Sequence, residues 1–454
     1  MKKIVTRMLV CALVFSLLGF GWNTTEAKEI KVGKPKISLK TSDDTITVTI
    51  KKTENAEDYS IFIKGSKDDR YYIIASIEAK KNGKTKFTIE NLTDDEYSIR
   101  VLAYNGLTPS KYSSVKKITV ETEKEIHYEK VFPSWNAESS SLKELVDFVK
   151  DTTEITSEGY LDPADRIAVF DMDGTILCEK APVYVDYCLT MYRVLDDPDF
   201  DATPEETEAI QQVRDHAYTE GKTYKPKGIT KHDMVASAFA GMTPEEFRKY
   251  VVDFADNTKV VGFSGMTYGQ SFYKPMIEVI NFLRDNDFDV WMVSACEREV
   301  VRALVERYGI PYDHVVATDV PYVASGKGDK KADNYNMGQD EDIVLGAPLN
   351  EVKCGKSEKS ASIAREIGKR PILAFGNSSG DYSMLNYAEG NPYHTGMGFF
   401  IVCDDTVREY GNDEKAADFY KKVKDEDWTA ISMANDWKTI YGDDVVKTGL
   451  PDAA

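Results

Sequence analysis

A chain of 454 residues is too long for one ordinary domain and suits two or three. Its 42% hydrophobic and 29% charged residues are normal for a globular protein, so sizeable cores are available. A net charge of −19 repels phosphate backbones, which sets nucleic acid aside as a partner and obliges any phosphate site to rely on local positive groups.

In chain order, the first residues read as an export signal. Lys2, Lys3 and Arg7 form a basic head, Met8 to Phe20 an apolar run, and Thr25-Glu26-Ala27 a cleavage site, so residues 1–27 are predicted to be removed. The run falls short of the roughly 20 residues of a spanning helix. No later segment is long and apolar enough, so the expected product is secreted or extracytoplasmic, without stable membrane insertion. Of the six cysteines, Cys11 leaves with the signal. The remaining five show no C-x-x-C spacing, which argues against structural zinc and leaves at least one thiol unpaired in a monomer.

Within a first domain of residues 30–122, Ile37 to Val120 alternate apolar and polar in short bursts, such as Ile46, Val48 and Ile50, then Tyr97, Ile99, Val101 and Ala103. Turn clusters such as Lys81-Asn82-Gly83-Lys84 separate them, and the pattern predicts a small antiparallel sandwich. The stretch from Asn91 to Tyr97, followed by Val101, Ala103 and Asn105-Gly106, resembles a fibronectin type III domain. That resemblance implies a spacer or adhesion module with a possible surface partner. No constellation in this region carries chemistry.

After a charged connector, Glu121 to Lys130, the pattern changes to a doubly wound, Rossmann-like α/β domain over residues 131–442. Leu142, Leu145, Val146 and Val149 mark an amphipathic helix. Ile167–Phe170, Asp289–Val293, Ile372–Phe375 and Phe399–Val402 are apolar runs of the kind a buried parallel strand needs. Between them, Met276, Val279, Ile280 and Leu283 share a helix face behind Pro275, and Val300, Val301, Leu304, Val305 and Tyr308 another. Residues 176–268 interrupt the alternation with helix starts alone, including the capping boxes Thr203–Glu206 and Thr243–Glu246. Such an insertion after the first strand would cap a site at its carboxyl end. Residues 443–454 read as a C-terminal tail.

The segment Val169-Phe170-Asp171-Met172-Asp173-Gly174-Thr175 carries the chemistry. Two carboxylates at a spacing of two leave a buried strand on one face, where a turn loosened by Gly174 converges them. Oxygen ligands of this kind suit Mg²⁺. A carboxylate can attack a phosphoryl group while a neighbouring carboxylic acid protonates the leaving oxygen. Asp-Gly alone reads more simply as a turn; its place behind a buried strand, and the partners below, favour chemistry.

These residues resemble the haloacid dehalogenase superfamily, in its capped phosphatase branch. Asp171 and Asp173 match the first motif, Ser294 after Trp291-Met292-Val293 the second, and Gly376-Asn377-Ser378-Ser379-Gly380-Asp381 the fourth. The third motif is a lysine opening a helix. Lys353, Lys356 and Lys359 lie in its region, and Lys359, followed by Ile363, Ile367, Gly368 and Pro371, has the best spacing, with Lys356 second. The fourth motif ordinarily begins Gly-Asp, whereas Asn377 stands here and removes one charge from a site also holding Asp381. An acid-phosphatase-like subgroup, akin to phosphoserine and phosphorylcholine phosphatases, is similar in this loop, at Pro133-Ser134-Trp135-Asn136 and near Asp436-Trp437.

The resemblance implies a Mg²⁺-dependent hydrolase of a small phosphomonoester, with Asp171 as nucleophile, Asp173 as acid and base, and Ser294 and Lys359 on the phosphoryl oxygens. Metal ligands would come from Asp171, Asp173, Asn377 and Asp381. Asp173 argues against dehalogenation, whose leaving group needs no proton. A subset of Tyr184, Tyr187, Tyr192, Tyr218 and Tyr224 could cage a quaternary ammonium, which would suit phosphocholine; packing of the cap's own core is the competing reading. The alternative from another class is a surface binding protein whose hydrolase domain is impaired at Asn377.

Overall fold

The computed structural model describes residues 30–42, 44–120, 128–155, 157–180, 182–224, 231–346 and 353–450. The export-signal segment with Cys11, and residues 121–127 of the connector, lie outside these residues. The chain divides into two compact units, residues up to 121 without 91–93, and residues from 122 together with 91–93.

The first unit contains two antiparallel sheets. One joins Ile37–Ser42, Thr45–Ile50 and Thr85–Ile89; the other joins Tyr72–Glu78, Asp58–Lys64 and Asp95–Asn105, with Thr108–Pro109 and Lys116–Val120 also paired to the last. The period-two pattern sets the packing. Ile46, Val48 and Ile50 are fully buried while the threonines between them are half-buried, and Tyr97, Ile99, Val101 and Ala103 are fully buried on their strand. Each such aliphatic side chain removed from water contributes about 1.5–3 kcal/mol.

The second unit is built on a six-stranded parallel sheet. Its strands are β1 (Ile167–Phe170), β2 (Asp289–Glu297), β3 (Val315–Thr318), β4 (Leu373–Gly376), β5 (Met397–Val402) and β6 (Thr429–Ser432). Their order is β3-β2-β1-β4-β5-β6, so the connections run to opposite sides of β1. Such a switch point opens a crevice at the carboxyl ends of the strands. Both faces of the sheet are buried. Ala168, Phe170, Met292, Phe375, Phe399 and Ile401 belong to one core; Ile167, Val169, Val293, Ala374, Phe400 and Val402 belong to the other. Phe170 stacks on Phe375 with ring centroids 4.2 Å apart, and Phe375 on Phe399 at 5.1 Å, a ladder across three strands.

Helices α1 (Ser140–Thr153), α2 (Val185–Leu195), α3 (Pro204–Glu220), α4 (Lys231–Phe239), α5 (Pro244–Asn257), α6 (Lys274–Asp285), α7 (Arg298–Val305), α8 (Ser357–Ser362), α9 (Tyr382–Glu389) and α10 (Asp413–Glu426) complete the unit. Helices α2 to α5 follow β1 as the insertion. Thr203 and Thr243 each accept a backbone N–H, from Glu206 and Glu246, at 3.2 Å, and those glutamates accept the threonine N–H groups in return. Phe239, Phe247, Phe254 and Tyr268 fill the space beneath. Phe263–Ser264, near the end of the insertion, is a short strand where only helices were expected, and it pairs with Val446–Lys447 of the segment read as a C-terminal tail.

Pro133–Asn136 meets Asp436–Trp437. Trp135 bridges Trp437 through the backbone, the two indoles lie edge to face at 6.1 Å, and Trp135 Nε1 donates to Pro275 O at 2.9 Å. Asn136 N–H donates to Asp436 O and Lys438 N–H to Ser134 O, each at 2.8 Å.

Candidate active site

The site starts where β1 stops. Asp171 N–H still donates to Phe375 O of β4 at 2.9 Å, and then the chain turns. Met172 is fully buried, so the carboxylates on either side of it share the opposite direction and line one cleft. The N–H groups of Thr175, Ile176 and Leu177 converge on Met172 O at 2.9–3.2 Å, closing the loop. Gly174 has φ of +81°, and a Cβ there would lie 1.9 Å from Asn377 Nδ2, so this turn and the fourth-motif loop approach only because the residue is glycine.

Three other elements reach the cleft, through Ala295, Lys359 and the Ser378–Asp381 loop. Ser294, near the carboxyl end of β2, is fully buried and accepts the Cys296 N–H at 3.2 Å. Lys359, in α8, is 1% exposed and donates to Asp171 Oδ1 at 2.5 Å, Val293 O at 2.6 Å and Asp381 Oδ1 at 2.7 Å. Asp381, after β4, turns its other oxygen to the N–H groups of Asn377 and Ser378 at 3.1 and 3.0 Å, and to Ser378 Oγ at 3.1 Å. Asn377 Oδ1 accepts from Thr175 Oγ1 at 3.4 Å.

Electrostatics follow from burial. Loss of water, then the Asp381 charge, pushes the Asp171 carboxyl up to about 7 against the opposing pull of Lys359. Burial works against the Lys359 charge, but Asp171 and Asp381 outweigh it and hold the ammonium above the ordinary lysine range.

The sequence left open which lysine meets the phosphate region, and the geometry separates the candidates. Lys359 touches Asp171; Lys356 and Lys353 are exposed residues lining the same cleft. Lys356 has φ of +56° and ψ of −128°, with its N–H donating to Gly380 O at 2.8 Å. Holding a non-glycine residue there costs about 1–3 kcal/mol.

The cleft has a volume of about 360 Å³. Glu179, Tyr184 and the Ser378–Gly380 loop complete its walls. A second cavity, of about 400 Å³, opens by Ile167, Arg370 and His394 at the amino ends of the strands, away from the paired carboxylates.

Sequence reasoning missed Glu179, and also a buried group formed by Asp186 of α2 with Cys296 and Glu297 of β2, whose ligand atoms lie within 4.8 Å of one another. Isolated acidic residues carry no periodic signal. Of the five cap tyrosines, Tyr184 lines the cleft. Tyr187 is buried, Tyr192 packs on Tyr250 and Phe254, Tyr224 stacks on His216 at 4.1 Å, and Tyr218 packs against the same core. Tyr187, Tyr192, Tyr218 and Tyr224 thus pack in or against the cap's core. All five cysteines in the described residues are free thiols.

Residues 168–386 match the family of haloacid dehalogenase-like hydrolases. That segment is a haloacid dehalogenase-like hydrolase domain. It runs from β1 into α9 and includes all four loops of the cleft. Similar solved structures include a conserved functionally unknown protein from Anaerococcus prevotii, 15% identical, over 66% of this chain and 92% of that one, with a TM-score of 0.43. Another is a phosphoserine phosphohydrolase-like protein from Francisella tularensis, 13% identical, over 52% and 87%, with a TM-score of 0.29. The chicken CNTN1 FN1–FN3 domains are 22% identical over 20% of this chain and 30% of that one, with a TM-score of 0.18. No curated protein matches the chain.

Proposed function

We propose that this chain is an exported, Mg²⁺-dependent phosphatase of small phosphomonoesters that works through an aspartyl-phosphate intermediate. The observation that carries this reading is the meeting of Asp171, Asp173, Lys359 and Asp381 in one cleft.

Asp171 attacks phosphorus in line, a P–O bond forms to its carboxylate, and the bond to the leaving alcohol breaks. Asp173, half-buried on the same side, gives that alcohol its proton. It then takes a proton from the water that attacks the aspartyl phosphate, releasing inorganic phosphate and restoring Asp171. Lys359 offsets phosphoryl charge that the acidic protein otherwise disfavours, and the Ser294 hydroxyl holds a phosphoryl oxygen.

The donor set suits a hard cation, because Asp171 and Asp173 offer carboxylate oxygens in one cleft and Asn377 adjoins their loop, its Oδ1 accepting from Thr175 Oγ1. Both Asp381 oxygens are engaged by Lys359 and the loop amides, which makes Asp381 a support for that loop before it is a ligand. A Mg²⁺ ion held there would supply positive charge against the negative charge of the phosphoryl group.

The N-terminal sandwich is proposed as a fibronectin type III-like spacer or adhesion module, supported by its three-stranded and larger sheets and the buried Tyr97. Among the described residues no helix is long and apolar enough to cross a membrane. Phosphocholine and phosphoethanolamine remain test substrates, with Tyr184 and Glu179 as the groups a cationic headgroup would meet.

The test is hydrolysis of p-nitrophenyl phosphate by the mature protein with Mg²⁺ or with a chelator. Metal-dependent turnover is expected. No turnover, together with failure to bind beryllofluoride, would move the assignment to a binding protein with an impaired hydrolase domain.

A further inference from the structure

Three lysines line an active-site cleft in a protein of net charge −19. Their charges are used differently. Lys359 lies between Asp171 and Asp381 and is compensated inside the fold. Lys356 stands at the exposed rim and makes no ion pair with any described residue.

The backbone of Lys356 adds a second, independent observation. With φ of +56° and ψ of −128° it occupies a conformation that glycine adopts at no steric cost. The chain places glycine one position earlier, at Gly355, and lysine here. Among the described residues the Lys356 side chain makes no hydrogen bond or ion pair that holds this turn. The Lys356 N–H to Gly380 O bond at 2.8 Å is a main-chain contact that any residue but proline makes. That bond does fix the Lys356 Cα beside the Ser378–Gly380 loop, at the cleft wall. Strain retained at a site points to a use for the side chain.

The position also says which part of a substrate the ammonium meets. The reacting phosphoryl group belongs to Asp171, Lys359 and Ser294 at the buried floor. A lysine at the rim faces what projects outward, the leaving-group side.

Resting on the phosphatase reading, we propose that Lys356 is a specificity-determining residue that binds a second anionic group, a carboxylate or further phosphate, on the leaving-group portion of the substrate. The preferred substrates are therefore small phosphomonoesters with two anionic ends, rather than esters of a cationic alcohol.

The experiment compares 2-phosphoglycolate, 3-phosphoglycerate, phosphocholine and p-nitrophenyl phosphate as substrates of the full mature protein, Lys356→Gly, Lys356→Met and Lys356→Arg. The wild type is expected to show higher kcat/KM for a carboxylated ester than for phosphocholine. Lys356→Gly and Lys356→Met should raise KM for that ester about tenfold or more relative to p-nitrophenyl phosphate, with Lys356→Arg restoring most of the difference. Lys356→Gly should also melt no lower than the wild type, because it relieves the strained turn, a result that separates lost recognition from lost folding.

Equal losses on all four substrates would place Lys356 on the reacting phosphate and overturn the inference. So would a wild-type preference for phosphocholine. Absence of any wild-type turnover would remove the phosphatase reading and this inference with it; turnover without discrimination would remove this inference alone.

Discussion

At the scale of single residues, the fold buries charge where chemistry or packing can use it. Lys359 serves two carboxylates at once, so it organises the floor of the cleft before any ligand arrives. Glu409 is a different case. It is 2% exposed, accepts the Tyr410 N–H at 2.7 Å and the Tyr441 hydroxyl, and lies 3.7 Å from Cys178 Sγ, just after the Asp171–Leu177 loop. Burial pushes its carboxyl up to about 7 from an ordinary 4.5, despite those donors. Since the folded value is the raised one, stability is fully present below about 4.5 and is lost as pH rises through about 7. Glu409→Gln should therefore be more stable than the wild type at pH 8, by up to about 3 kcal/mol, and should differ little at pH 4. Urea unfolding at both pH values reads this directly; equal differences at the two would show that Glu409 does not titrate in this window.

At the scale of elements, the hydrolase domain is closed by a clasp between its two ends. Trp135 is 1% exposed, packed on Trp437 and bonded to Pro275 O. Trp135→Ala should cost about 3–5 kcal/mol in urea unfolding, the usual loss for a buried aromatic. A loss below about 1 kcal/mol would mean that the clasp adds little to the core. Much of this architecture was legible. The strands β1, β2, β4 and β5 lie inside the sheet and read as apolar runs, and both capping boxes announce their helices. Strands β3 and β6, the two edges of the sheet, were not read from the sequence; Thr429-Ala430-Ile431-Ser432 is half polar and carries no apolar run. Site residues that end a strand or open a helix, such as Asp171, Ser294 and Lys359, carry a positional signature. Glu179, Asp186 and Glu297 do not, since tertiary contact alone brings them together. The tyrosines of the cap were ambiguous for the same reason.

At the scale of the whole molecule, the long-range field and the local site oppose each other. A net charge of −19 disfavours anionic ligands at a distance, while Lys353, Lys356 and Lys359 gather at one cleft. That contrast is what a phosphate site in an acidic protein requires, and it sets the most direct measurement. The protein would be mixed with p-nitrophenyl phosphate and Mg²⁺, quenched in acid during turnover, digested and analysed by mass spectrometry for acyl phosphate. Phosphate on the peptide containing Asp171, labile to base and missing from Asp171→Asn, is the expected finding. Turnover with no phosphorylated Asp171 peptide, or turnover that survives Asp171→Asn, would show that another group does the chemistry.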